Sequence, residues 1–214
     1  MRISEPTTML TDYALALLGI WFGWRLVSGG REAGESSRVL WGASFLGMAV
    51  AAAAGGTAHG FAELLGGIEG TWVWKLTTFS IGLASAAMLA AAVVARLAGA
   101  ARIALLGLVV AKVAIYIAWM SVHDDFRFVV YDYAPSMLAV VLLLALPGRL
   151  APLPGAGWVA LGVAVSFAGA AVQRSGFTLH RHFNHNDFYH VIQMAGLYLL
   201  YRGGALLRDR SRAE

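Results

Sequence analysis

Long apolar segments alternate along the chain with short breaks that carry most of the charged, glycine and proline residues. A helix needs about 20 mostly apolar residues to cross a bilayer, and most of these segments are close to that length. The pattern predicts seven spans, at residues 9–29, 39–60, 71–97, 99–121, 128–147, 155–173 and 187–202. Residues 1–214 are therefore expected to form one all-α domain, a seven-transmembrane helix bundle.

The composition supports a membrane location. Apolar residues make up 59% of the 214 and charged residues 13%, which is far from the soluble average. The first apolar segment contains Asp12 and Arg25 and is followed by no small-residue cleavage site, which favours a retained helix over a signal peptide. We expect a multi-pass protein of the plasma (inner) membrane that binds membrane lipids and, lacking a basic domain, no nucleic acid. The absence of cysteine excludes disulfides and thiolate metal ligands.

The distribution of basic residues predicts the orientation. One side of the membrane would carry Arg25, Arg31, Arg38, Arg96, Arg102, Arg149, Arg202, Arg208, Arg210 and Arg212. The opposite side would carry only Arg2, Lys75, Arg127, Arg174 and Arg181. Because cytoplasmic loops hold the excess of lysine and arginine, the C-terminus is expected in the cytoplasm and the N-terminus outside.

The histidines all fall on the predicted outer side. His59 ends the second span, His123 ends the fourth, and the other four lead into or open the seventh. An ionisable side chain within a span is costly unless it is paired, solvated or bound to metal. This one-sided arrangement predicts a polar site near the outer leaflet.

The stretch FNHNDFYH, residues 183–190, opens the seventh span. Asn184 followed three residues later by Asp187 is typical of a helix start closed by a capping box. His190 lies about one turn beyond Asp187 and shares its face, whereas His185 and His190 are rotated by roughly 140°. His185 can join the same site only if the first turn is unwound.

His59 and this histidine-rich turn together suggest a metal site. Imidazole suits zinc, and catalytic zinc sites keep three protein ligands and an open position. Gly55 and Gly56, one turn before His59, favour close helix packing. The alternative is that the histidines only bind water or lipid headgroups.

The arrangement resembles a known superfamily. A histidine late in the second of seven spans and an H-x-x-x-H-type motif opening the last are similar to the alkaline ceramidase, adiponectin-receptor and Per1-like membrane hydrolases, and the outward N-terminus is similar to the ceramidase branch. The resemblance implies three zinc-binding histidines and a zinc-activated water that cleaves an amide or ester in a lipid. His59 matches the second-span ligand and His190 the last ligand. Asn186 stands where the remaining histidine belongs, so His185 is the candidate third ligand and Asp187 the fallback.

The chain also departs from that pattern. Gly55 replaces the family's serine, and the third span begins with TWVWKLTTFS in place of an acid. We therefore expect a divergent zinc-dependent hydrolase of a lipid amide or ester. The candidate groups for proton transfer are Asp187, Glu69, Asp125 and Asp132.

Other functions remain open from sequence. A transporter or proton-coupled channel could use Lys112, Asp132, His59 and His190, with Lys112 either paired inside the bundle or reaching outward. A haem or quinone protein could use the two histidines, and a receptor would need neither. A retinal protein is excluded because the last span has no lysine. The Asp124–Asp125 pair is expected to form a solvated turn, with divalent-cation binding as the alternative.

Overall fold

The computed structural model describes residues 3–67, 71–145, 152–180 and 183–210. Seven α-helices lie in these ranges: α1 (Pro6–Ala33), α2 (Ser36–Gly60), α3 (Trp72–Arg96), α4 (Gly99–Val122), α5 (Arg127–Ala145), α6 (Ala156–Ser175) and α7 (His185–Gly204). The all-α class is confirmed, and each predicted span coincides with one helix. Several residues used above lie outside the described ranges: Arg2, Glu69, Arg149, Arg181, His182 and Arg212.

Five helices, α2 to α6, are long and apolar enough to cross a membrane. The length and composition of these helices indicate a multi-pass membrane protein. The helices α1 and α7 fall outside this group because polar side chains interrupt their apolar sequences. Those polar side chains, shown below, face one another.

The helices pack in a nearly closed order. Neighbours along the chain pack together from α1 to α4, α3 also contacts α5, and α5, α6 and α7 follow in turn. α7 returns to contact α1 and, more weakly, α2. α4 contributes only Tyr116 and Met120 to the buried residues, so it lies at the periphery. Because α7 packs on α1 and α2, polar side chains of these three helices can meet in the interior and form a functional site.

Small residues bring α1 and α2 into backbone contact. A Cβ atom at Gly42 would lie 2.9 Å from Gly23 O, and one at Gly56 would lie 2.8 Å from Asp12 Cβ. Such distances leave no room for a side chain, as expected for small-residue packing between membrane helices. The predicted packing role is confirmed for Gly56, and the contact fixes Asp12 against α2.

The opposite half of the bundle is an apolar core. It contains Phe22 and Leu26 of α1, Trp41 and Phe45 of α2, and Leu200 of α7 among its buried residues. The Trp41 indole donates to Leu200 O at 3.1 Å, so its one polar group is satisfied. This apolar core packs α7 beside α1 and α2.

Candidate metal centre

A cavity of about 310 Å³ opens among α1, α2, α3, α6 and α7. Its polar lining comprises Asp12, His59, Trp74, Thr77, Gln173, Asn186, Tyr189 and His190. The two histidines that sequence places on distant spans, His59 and His190, therefore line one space. Its apolar lining includes Leu15, Met48 and Ile81.

The start of α7 positions His190. Asn184 Oδ1 accepts from the backbone N–H groups of Asn186 at 2.8 Å and Asp187 at 3.3 Å, and Asp187 Oδ2 accepts from Asn184 N at 2.7 Å. This is the capping box predicted from the sequence. It fixes the first turn as regular helix, with His190 about one turn further in.

A polar stripe on α1 faces this turn. Thr8, Thr11 and Asp12 share one face because they are three and four residues apart. The Thr8 hydroxyl donates to Asp187 Oδ1 at 2.9 Å, Thr11 Oγ1 lies 2.8 Å from His190 Nδ1, and Asp12 Oδ1 lies 3.3 Å from His190 Nε2. α1 and α7 thus meet through three polar contacts near the cavity.

The Thr11 hydroxyl bears on the tautomer of His190. Its single proton has three acceptors in reach: Thr7 O at 3.1 Å, Thr8 O at 3.0 Å and His190 Nδ1 at 2.8 Å. If the hydroxyl donates to a carbonyl, which cannot donate in return, it accepts from Nδ1–H. The lone pair of Nε2 then faces the Asp12 carboxylate, and two acceptors at 3.3 Å need a proton or a cation between them. In the other tautomer, the Nε2–H group faces Asp12 Oδ1 at 3.3 Å.

His59 has an acidic neighbour immediately before α1. Its Nδ1 lies 3.4 Å from Glu5 Oε2. These two atoms and Asp12 Oδ2 are buried, and none has a hydrogen-bond partner among the described residues. Each unsatisfied buried polar group costs about 1–3 kcal/mol. Two of the three atoms, Asp12 Oδ2 and His59 Nδ1, belong to residues that line the cavity, which favours a bound cation or donor there.

The spacing of these pairs suits zinc. Tetrahedral Zn²⁺ with bonds of about 2.0–2.1 Å to nitrogen and oxygen separates its ligand atoms by about 3.3 Å. The Asp12–His190 and Glu5–His59 pairs are separated by 3.3 and 3.4 Å. Within the described residues, however, no three histidine or acidic side chains already converge as a metal-binding group. In the described residues, the Asp12–His190 pair and His59 therefore line one cavity without forming a closed ligand set.

Asp12 also lies beside Gly55, the position at which the resemblance noted from sequence predicts a serine. A Cβ atom at Gly55 would lie 3.9 Å from Asp12 Oδ2 and 3.7 Å from Thr77 Cγ2. α2 has no hydroxyl at Gly55, and the Asp12 carboxylate of α1 reaches the same space.

Two predicted residues of α7 stand apart from the cavity lining. His185 is the first residue of the helix and does not line the cavity. Asp187 is 1% exposed, and both of its oxygens accept hydrogen bonds, from Thr8 and Asn184. The structure gives Asp187 a capping role, while its role in proton transfer stays a prediction.

The other predicted acids lie elsewhere. Asp132 pairs with Lys112, with 2.7 Å between Oδ2 and Nζ, and Lys112 Nζ also donates to Ser85 Oγ. Of the two expectations for Lys112, the structure supports a partner inside the bundle. Asp125 is half-exposed and pairs with Arg127 at 3.0 Å. Glu69 lies outside the described residues.

The Asp124–Asp125 turn is held by cations of the protein itself. Lys75 Nζ lies 2.7 Å from Asp124 Oδ1 and donates to the carbonyls of Met120 and His123 at the end of α4. Lys75 therefore caps the C-terminus of α4, where the helix dipole makes a positive charge favourable. Both acids of the turn have a basic partner.

The residues missed from sequence are Glu5, Thr11 and Asp12, all on or beside α1. In the sequence, Asp12 serves only as evidence for a retained helix. The available signal is the helical spacing of Thr8, Thr11 and Asp12, a polar stripe at one end of an apolar segment. Such a stripe predicts a polar partner, and here the partner is the start of α7.

Comparison with known proteins yields one match. No curated protein and no solved structure matches the chain. One family model matches residues 7–209, which include nearly all of α1 and the whole of the six other helices. The chain belongs to the family of unknown function DUF6962.

Proposed function

We propose that this protein is a zinc-dependent membrane hydrolase that cleaves an amide or ester bond in a lipid. His59 of α2 and His190 of α7 would hold the ion. The observation that carries the proposal is that both histidines line one cavity of about 310 Å³ beside buried atoms that lack hydrogen-bond partners. A bound zinc ion would polarise a carbonyl group and supply hydroxide near neutral pH.

The ring environment of His190 supports this role. Thr11 Oγ1 lies 2.8 Å from His190 Nδ1. A neutral imidazole that donates from Nδ1 keeps the lone pair of Nε2 for a metal. Metal-bound histidines usually donate their other ring N–H to a carboxylate, a carbonyl or water, and this fixes the ring orientation.

The cavity walls support a lipid as the substrate. A second cavity, of about 70 Å³, shares Leu15, Met48, Ala52 and Tyr189 with the first and continues inward to Leu200. His190 and Leu200 are ten residues apart on α7, which corresponds to about 15 Å along the helix axis. The polar end would hold the scissile bond, and the extension would accept the first few carbons of an acyl chain.

The membrane arrangement is part of the same proposal. α1 and α7, with 28 and 20 residues, are long enough to act as the remaining two spans beside α2 and α6. With seven spans and the excess of arginine inside, the N-terminus faces outward and the site lies near the outer leaflet of the plasma membrane.

The transport alternative receives less support. It needs a polar path that joins His59 and His190 to Lys112 and Asp132. Lys112 and Asp132 satisfy each other and do not line the cavity that contains the two histidines. We therefore assign the Lys112–Asp132 pair to stability.

Hydrolysis by purified protein tests the proposal. Lipid amides and esters presented in detergent micelles should release fatty acid, and the release should stop on chelation and return when zinc is restored. His59→Ala and His190→Ala should abolish release, whereas His123→Ala, at an exposed ring stacked on Trp119, should retain it. Release that is unaffected by both site substitutions would contradict the proposal.

A further inference from the structure

We propose that Asp12 of α1 is the third protein ligand of this zinc, in place of the histidine that α7 lacks. The inference rests on the proposed metal site and adds α1 to the helices that would supply its ligands. Two histidines and one carboxylate form a known catalytic zinc set that leaves an open fourth position. Here each of the three ligands would come from a different helix: α1, α2 and α7.

The position of Asp12 is built into the packing. Asp12 is 6% exposed, and its Cβ lies against Gly56, where any larger residue would force the helices apart. The carboxylate reaches the cavity lining beside His190 Nε2. A short side chain fixed by backbone contact holds its oxygen atoms in place at little entropic cost.

The charge balance around Asp12 differs from that of the three aspartates that pair with a lysine or arginine. Asp124, Asp125 and Asp132 each pair with a lysine or arginine. In the part of the chain that the structure describes, Asp12 has an ion pair only with His190, and its Oδ2 is buried with no hydrogen-bond partner. A buried carboxylate without a fixed cation is expensive unless a metal or a proton compensates it.

His185 is the competing third ligand. It is the first residue of α7 and does not line the cavity, and the capping box keeps the first turn helical. Bringing it to the site would require that turn to unwind and would break the bonds of Asn184 and Asp187. Asp12 already lies 3.3 Å from His190 Nε2, close to the spacing of two zinc ligands.

Thr11 would act as a positioning residue by holding His190 through Nδ1. Removal of such an outer partner lowers metal affinity by about 10–100-fold without loss of the site. Thr11→Val should therefore weaken zinc binding, and Thr11→Ser, which restores the hydroxyl, should recover it.

A cysteine substitution gives a direct spectroscopic test. Thiolate is a good ligand for Co²⁺, and a cobalt–thiolate bond produces an intense near-ultraviolet charge-transfer band. Because the chain has no cysteine, any such band in a single variant arises from the introduced residue. Asp12→Cys and His185→Cys form a matched pair, and full-length protein in detergent is titrated with Co²⁺ alone.

We expect the band in cobalt-loaded Asp12→Cys and not in His185→Cys. The band in His185→Cys alone, or full cobalt binding with a band in neither variant, would overturn the assignment of Asp12. If Asp12→Cys fails to fold, the nearly isosteric Asp12→Asn serves: zinc competition against a chelator should show an affinity at least about 100-fold weaker than wild type. Unchanged affinity in Asp12→Asn would also overturn the assignment.

The same measurements separate this inference from the proposed function. If the wild-type protein binds zinc and loses it in His59→Ala and His190→Ala but not in Asp12→Asn, only the assignment of Asp12 fails. If the folded wild-type protein binds no metal, both proposals fail.

Discussion

Two polar clusters in the described part of the chain differ in whether all of their buried polar atoms have partners. In the cluster of Lys112, Asp132 and Ser85, the buried charge of Asp132 faces a cation at 2.7 Å, and that cation also binds a hydroxyl. In the cluster around Asp12 and His190, buried acceptor atoms remain without partners and border a cavity. The first arrangement is complete by itself and stabilises the bundle, while the second becomes complete only with something bound.

The largest expected effect concerns the complete cluster. Asp132→Ala would leave the Lys112 ammonium, whose side chain is 27% exposed, with only the Ser85 hydroxyl as a partner, which should lower the free energy of unfolding by about 3 kcal/mol. The double variant Lys112→Met/Asp132→Ala removes both charges and should recover much of that loss. Denaturation in detergent, followed by circular dichroism, measures both. A double variant no more stable than the single one would contradict the pairing.

Zinc-dependent stability should distinguish the second cluster from the first. A ligand that binds only the folded state adds about 2.7 kcal/mol at a concentration 100 times its dissociation constant. Zinc should therefore raise the unfolding temperature of wild type and of Lys112→Met/Asp132→Ala, but not that of His190→Ala. An equal rise in all three proteins would mean that zinc binds elsewhere.

The contact between α1 and α2 should couple packing to the site. Gly56→Ala places a methyl group 2.8 Å from Asp12 Cβ and should lower the stability by about 1–3 kcal/mol and weaken zinc binding. The matched control is Gly55→Ala, whose added methyl group meets only ordinary contacts at 3.7 and 3.9 Å. Unfolding and zinc titrations of the two variants should differ. If both retain wild-type affinity, Asp12 is not held by this contact.

The smallest expected effect is at the bond between α1 and the cap of α7. Thr8→Val removes the hydroxyl that donates to Asp187 and should lower the free energy of unfolding by about 1 kcal/mol. Zinc stoichiometry should stay unchanged because Asp187 has a capping role. Loss of zinc in this variant would instead place Asp187 in the metal site.

The helices of this protein are largely predictable from sequence, and their pairings are not. Continuous apolar length decides where a membrane helix lies, and all seven predicted spans coincide with helices. The partner of Lys112 depends on which helices are neighbours. Lys112 and Asp132 meet because α4 and α5 both pack on α3, a fact of tertiary structure.

The candidate site was predictable only in part, because its local features can be read from the sequence and its contacts between helices cannot. His59 and His190 carry a signal because histidine is rare in spans and both lie at the same end of the bundle. The capping box is local and was readable from Asn184 and Asp187. The role of Asp12 depends on the rotation of α1 about its axis, which is set by contact with Gly56 and not by the residues next to Asp12.

The central claim is that the incomplete cluster is a metal site, and metal content by mass spectrometry tests it most directly. Detergent-purified wild-type protein should contain about one zinc ion per chain, and His59→Ala and His190→Ala should contain none. His123→Ala, away from the cavity, should retain the wild-type content. Folded wild-type protein that carries no metal, even after zinc is supplied, would contradict the claim.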